Sequence, residues 1–239
     1  MLKTLQNAFK IKEVREKLLY TFFMLVVTRI GSQLPIPGVN TTFFQELFTR
    51  QSNDAFGFFN TITGGSFTNM SVFALSITPY ITSSIIMQLL TIAIPKLEEM
   101  QQEGEDGRKK IAEYTRYLTV ALALMQSVAM AIGFGGKGLL VEFTALNVIV
   151  AIVTMTAGSA MLMWIGERIT ENGVGNGISI VLLFNIISTM PSDMITLYER
   201  FLQGKIVAVA VVTAVIIVAV IVAMVVFVII LQDAERRIP

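Results

Sequence analysis

The sequence has 239 residues, 54% of them hydrophobic and only 15% charged, with a formal net charge of +1. A soluble domain carries about 25% charged residues, so this balance excludes an ordinary globular protein, and so small a net charge gives no electrostatic reason for a nucleic-acid partner. Cys and His are both absent, which excludes disulfides, thiol and Ser-His chemistry, Fe–S clusters and the HExxH zinc site.

Aspartate occurs only at Asp54, Asp106, Asp193 and Asp233, never in the middle of an apolar run. An intramembrane aspartyl dyad therefore has no support. No catalytic residue, metal ligand or cofactor is expected.

A membrane span needs about 20 predominantly apolar residues. Residues 1–17 precede the first such run and place Leu2, Leu5, Phe9 and Lys12 at helical spacing among cations. They fit a basic amphipathic helix on the inner membrane surface, or equally a solvated cytoplasmic leader. A full span follows with no small-residue cleavage site, so the pattern is not that of a cleaved signal. The first span is expected over 18–34. It contains Arg29, costly if it faces lipid, which is left either to pair with a carbonyl or carboxylate near the outer interface or to mark subunit packing.

Residues 35–71 read as an external loop, and it is an unusual one. From Ala55 the chain runs AFGFFNTITGGSF, a Phe-rich stretch too short to cross a bilayer and broken at Gly64-Gly65. The second span, 72–94, restarts immediately afterwards, carries Pro79 in its middle and is closed by Pro95. A half-segment followed by a span predicts backbone folding back inside a membrane protein. Such backbone survives at that depth only where it is buried in protein or lines a watery cavity, which points to a channel or a transporter.

A cytoplasmic loop over 95–116 leads to a third span at 117–134 and a fourth at 146–165. A glycine-rich cytoplasmic loop, 166–177, precedes a short fifth span, 178–190, which Pro191 is expected to end. The sixth, 206–231, is a Val/Ile/Ala run with Thr213 its only polar residue. Its β-branched content suggests a strand, but its length decides for a helix. Residues 232–239 begin another cytoplasmic loop. Thirteen Lys and Arg fall on the side of the termini and of the loops after spans two and four, against four on the other side. The positive-inside rule then places both termini in the cytoplasm. The expected fold class is all-α: a polytopic membrane bundle of six transmembrane helices with a short re-entrant helix.

Four blocks carry a family resemblance: TRIGSQLPIPG (28–38), ALSITPYITSSIIMQLL (74–90), EGEDGRKKIAEYTRYLT (103–119) and MWIGERITENGVGNGISI (163–180). In their order and span placement they resemble the SecY family, the central subunits of the bacterial protein-conducting channel. That family has two pseudo-symmetric halves of five spans each, akin to the inverted repeats of transporters. This chain resembles the first half plus one helix.

The resemblance implies a channel in the bacterial cytoplasmic membrane that translocates secretory proteins and inserts membrane proteins. It implies SecE and SecG as fellow subunits, and the SecA motor ATPase or the ribosome as the source of force. Signal peptides, nascent polypeptides and membrane lipid would be its other partners. It further implies that Ile77, Ile81 and Leu182 contribute to a hydrophobic pore ring, with Leu182 standing where isoleucine is expected. Such a ring can gate ions by dewetting. Residues 54–66 match the plug, with Phe56, Phe58, Phe59 and Ile62 as its apolar body and Gly64 and Gly65 as a hinge. Thr82 and Gln126 match polar positions along the lateral gate.

On the residues alone, Ile77 and Ile81 share a helix face, and Pro79 would remove the bond to Leu75 and kink the second span. Ordinary helix packing is the competing account of these isoleucines, and helix–helix glue that of Gln126. For the SecA or ribosome partner that the resemblance implies, Arg108, Lys109, Lys110, Arg236 and Arg237 are the candidate docking cations. The cluster Gly173-Val174-Gly175-Asn176-Gly177 lacks the strand and the Lys-Ser/Thr of a P-loop. It reads instead as a tight turn that allows close approach of neighbours. A secondary transporter for a small solute is the other functional class, although Arg29 is the only charge within the spans.

Overall fold

The computed structural model describes residues 11–43, 46, 54–201 and 207–233. The helices used below are α1 (Lys12–Gln33), α2 (Asp54–Ile62), α3 (Thr78–Ala93), α4 (Pro95–Gln102), α5 (Glu105–Phe134), α6 (Ala145–Asn172), α7 (Gly177–Phe201) and α8 (Val207–Asp233). Compact packing divides the chain into Met1–Thr189 and Met190–Pro239, and each is taken by itself. Among the described residues four helical stretches are long and apolar enough to cross a membrane: Glu105–Leu139, Ala145–Asn172, Gly177–Glu199 and Val212–Gln232. A fifth arises if α3 and α4, bent by 101° at their junction, count as one span.

Several boundaries differ from those expected. Helix α1 begins at Lys12, inside the basic leader, rather than at residue 18. The 95–116 segment is no open loop, because α4 fills its first part and α5 already starts at Glu105. Its acids explain part of this: Glu105 and Asp106 sit in the first turn of α5, where the unpaired backbone N–H groups favour negative charge. The fifth span does not stop at Pro191, since α7 continues through that residue to Phe201. A proline removes one helical hydrogen bond, and here the helix tolerates the loss.

The largest difference concerns the second span. Regular helix begins at Thr78, not at residue 72, so Pro79 sits in the first turn of α3 rather than in its middle. No mid-helix kink is needed there. A first-turn proline lacks only an N–H that would have had no partner anyway. The carbonyl of Ile77 accepts the opening bonds from Tyr80 (3.1 Å) and Ile81 (3.2 Å). The 16 residues of α3 span about 24 Å at 1.5 Å per residue, less than the hydrocarbon core of about 30 Å.

What precedes α3 is irregular backbone held deep in the protein. Residues 63–77 form consecutive turns broken only by a bridge between Ser71 and Pro35, and Met70 and Ser76 take left-handed angles (φ 45° and 53°). Phe67, Met70, Ser71, Phe73, Ala74, Leu75, Ser76 and Ile77 are all buried. Helix α6 provides the seat. A Cβ built on Gly158 would lie 2.0 Å from the carbonyl oxygen of Val72, so only hydrogen fits between helix and turn. Next to it, Ser159 Oγ donates to the carbonyl of Ser76 at 3.3 Å.

Helices α5 and α6 pack along a seam of small and hydroxylated residues. Thr115, Thr119, Ala123 and Ser127 are buried at four-residue spacing on α5, and Thr156 of α6 donates to Ser127 at 3.1 Å. Apolar side chains give no preference for protein over lipid, so close approach and interhelical hydrogen bonds hold such seams together. At one end of the bundle the segment after α1 ties the turns together: Ile36 N–H donates to Met70, Val72 N–H to Leu34, and Asn40 N–H to Leu139.

The glycine cluster closes the other end. Asn176 Oδ1 caps α7 by accepting from the N–H groups of Ile178 (3.1 Å) and Ser179 (3.3 Å). Thr21 Oγ1 of α1 accepts from Val174 N–H at 3.2 Å. Because α6 runs on to Asn172, only residues 173–176 form the turn, in place of the loop expected over 166–177.

In the second unit, described alone, α8 runs from Val207 to Asp233, close to the expected sixth span. Its strongest membrane window has none of its residues buried.

Candidate functional site

The short helix α2 covers the first part of the expected plug, with Phe56 inside it. Phe58 projects outward at 70% exposure, whereas Phe59 packs edge-on against buried Phe67, their ring centroids 4.9 Å apart. Ile62 is half-buried. Beyond it the chain reverses at Gly64 and Gly65, whose φ values of 66° and 83° require glycine-like freedom. Thr63 Oγ1 donates to Asn60 and accepts from Phe67 N–H. Asn60 Oδ1 accepts from both the backbone and the hydroxyl of Thr68. The end of the helix is thus stitched into the turns leading to α3.

Arg29 has a definite set of partners. One guanidinium nitrogen, Nη1, donates to the carbonyl of Gly64 at 2.9 Å and to Ser188 Oγ at 3.0 Å. The Ser188 hydroxyl in turn donates to the carbonyl of Asn185 at 2.7 Å. A carbonyl, one of the options left open by the sequence, is thus among the partners of Arg29, together with the Ser188 hydroxyl. Asn185 itself is buried and donates from Nδ2 to Ser76 Oγ at 3.4 Å. Its backbone and Cβ lie so close to Gly64 that a Cβ there would come within 3.1–3.2 Å.

The three ring residues differ in setting. Ile77 is completely buried, and its Cδ1 lies 3.5 Å from where a Cβ would stand on Gly166 of α6. Ile81 and Leu182 are half-buried. The Asn185–Ser76 bond brings the Leu182 stretch of α7 beside the start of α3. Ile186, four residues beyond Leu182 and also half-buried, lies on the same helical face; that spacing was available in the sequence.

Thr82 is exposed and donates to Thr78 within its own helix (3.1 Å). Gln126 is half-buried on α5. No hydrogen bond joins the two. Arg108, Lys109 and Lys110 are exposed at the start of α5, with Lys109 3.9 Å from Glu105 and 3.8 Å from Asp106. Arg236 and Arg237 lie outside the described residues.

Sequence reasoning missed Asn185, Ser188 and the left-handed Ser76. Asn185 could have been flagged as an amide inside an apolar run; the conformation of Ser76 has no such signal. Among the described residues no group of acidic side chains could hold a metal ion.

Comparison with known proteins matches the SecY family profile over residues 71–239. Relatives named protein translocase subunit SecY include those of Halalkalibacterium halodurans, 41% identical over 100% of this chain and 56% of the relative, and of Aquifex aeolicus, 39% identical over 100% and 57%. That of Bacillus subtilis is 42% identical over 83% of this chain and 46% of the relative. The chain therefore spans about half the length of these relatives. Two solved structures share the fold. One, described as the structure of a protein conducting channel, has a TM-score of 0.51 and 21% identity over 84% of this chain and 43% of that one. The other is Sec61 in the canine ribosome-channel complex from the endoplasmic reticulum, with a TM-score of 0.57 and 20% identity over 98% and 54%.

Proposed function

The chain belongs to the SecY family of membrane-embedded protein translocase subunits, and from that premise we propose that it supplies the plug and one wall of the gate of a protein-conducting channel. The observation carrying this reading is the buried irregular backbone at 63–77, between the short helix α2 and α3. Non-helical backbone survives at such depth only where it is buried in protein or lines a watery cavity; this stretch is buried on α6 and leads directly into the half-buried Ile81. In this reading α2 and the turn to Ser66 are the plug, and Ile77, Ile81 and Leu182 belong to the waist, with Ile186 extending it. Thr82 and Gln126 line one side of a lateral gate whose other side comes from further helices. The channel is passive: SecA or a translating ribosome supplies force, SecE and SecG complete the assembly, and secretory and membrane proteins are its cargo. Both termini and the 95–116 hairpin face the cytoplasm.

A translocating chain stalled in the assembled channel is expected to crosslink to photoreactive residues placed at Ile81 and Ile77. Absence of crosslinks at both isoleucines, together with solute uptake into vesicles, would sink the channel reading in favour of a small-solute transporter.

The exposed cations at the start of α5 are proposed to dock the ribosome, whose RNA is anionic. Reversing Arg108, Lys109 and Lys110 to Glu is expected to weaken ribosome binding by about tenfold or more near physiological salt. The log–log salt slope should fall by about 2. An unchanged slope in a binding titration would remove this surface from the docking site.

A further inference from the structure

Building on the plug reading, we infer that Arg29 is the positioning residue that keeps the plug seated, acting as a latch between α1, the end of the plug and α7. The plug helix ends at Ile62, and the turn that follows already occupies its last carbonyls: the N–H groups of Thr63, Gly65 and Gly64 donate to Phe59, Asn60 and Thr61. The carbonyl of Gly64, two residues beyond the helix, is the one that accepts from Arg29, whose same nitrogen also donates to Ser188. Ser188 passes the tie back to Asn185, and Asn185 both crowds Gly64 and bonds Ser76 at the foot of α3. The plug's end is therefore held by α1 at the Gly64 carbonyl and by α7 packed against the same glycine.

The dependence runs in both directions. Among the described residues Arg29 has no carboxylate within ion-pair distance; its half-buried charge is satisfied by the carbonyl and the hydroxyl. A cation within an apolar span is costly when it loses its partners. Departure of the plug removes the better of the two acceptors. Opening thus carries an electrostatic cost in addition to lost apolar packing, and a signal peptide must offset both.

The test measures resting ion conductance of the assembled channel in planar bilayers for four versions: unaltered, Arg29→Gln, a deletion of residues 57–65, and the two combined. The deletion alone is expected to leak. Arg29→Gln alone should raise resting conductance about tenfold, the change that ~1.4 kcal/mol represents. Arg29→Lys, which keeps the charge and a donor, should recover most of the closure. In the deletion background Arg29→Gln should add nothing, a result that a general weakening of the fold would not give.

A tight Arg29→Gln channel beside a leaky deletion overturns the latch while leaving the plug reading standing. An equal increase with and without residues 57–65 overturns it too. A deletion that does not leak overturns the plug reading itself and the latch with it. Should Arg29→Gln fail to assemble, Ser188→Ala removes only the α7 anchor; about a threefold increase, absent in the deletion background, is then expected, and unaltered conductance overturns the proposal. An independent readout is Thr63→Cys, at a site 1% exposed in a chain without native cysteine. That thiol should react with a membrane-impermeant maleimide about tenfold faster when Arg29 is Gln, and equal rates overturn the latch.

Discussion

Gly158→Ala is expected to disrupt assembly of the first unit more than any other single methyl addition within α6. The added carbon would stand 2.0 Å from the Val72 carbonyl oxygen and 2.8 Å from its carbon, both backbone atoms that cannot rotate away. Relief requires α6 and the 71–77 turns to part by more than 1 Å, which breaks the Ser159–Ser76 bond and loosens Ile77. Overpacking a close-fitted interior typically costs about 1–3 kcal/mol and occasionally more, and a backbone clash belongs at the upper end. Thermal loss of the detergent-solubilised channel should move down by several degrees. Gly133→Ala is the control: nothing lies within 4 Å of its added carbon, and alanine is the better helix former. Should the two variants melt together, the seat described for the irregular segment is wrong.

Gly177→Ala comes second. Its Cβ would fall 2.0 Å from the Gly166 carbonyl oxygen, 2.6 Å from Ile169 Cβ and 2.9 Å from Thr170 N. The turn between α6 and α7 would have to open, and with it the bond from Gly177 N–H to Thr170 Oγ1 (2.9 Å). Because Gly166 also lies against Ile77, the disturbance should reach the waist. A loss of about 2–3 kcal/mol is expected, with raised protease sensitivity at the turn. A variant as protease-resistant as the parent would show that the helices do not approach this closely.

Where hydropathy and charge changed together, the sequence was easy to read. The apolar run of α8 stands between charged stretches and its helix falls near the expected limits, and α6 begins where expected but continues seven residues past 165, to Asn172. Residues 72–77 are a different case. They are as apolar as the helix that follows, so nothing in composition separates turn from helix. The separation comes from Ser76 at φ 53° and from the missing side chain at Gly158, 82 positions further on by numbering. The 95–116 region failed for the opposite reason: its charges suggested loop, yet they lie on the short helix α4 and the first turns of the long helix α5.

Of the site, the short Phe-rich helix and its Gly64-Gly65 reversal were legible because glycine pairs and truncated apolar runs are local signals. The partners of Arg29 were not. Gly64 and Ser188 lie 35 and 159 positions from it along the chain, and only tertiary structure brings them together. Pro79 shows how a correct residue can be misread. It does mark a boundary, but as the opening of a helix rather than a bend within one.

The seating of the irregular turns on α6 also has a consequence for biosynthesis. Ser76 and Ser159, which meet across that seat, are 83 residues apart. A ribosome adding about 5–20 residues per second reaches the second about 4–17 s after the first. Throughout that interval the newborn 63–77 stretch has no α6 to lie on, and its backbone groups cannot be left bare in lipid. It must wait at the bilayer surface, or under the care of an insertion factor, until α6 arrives. The part of the molecule that would later guard the passage is among the last of the first unit to take its place.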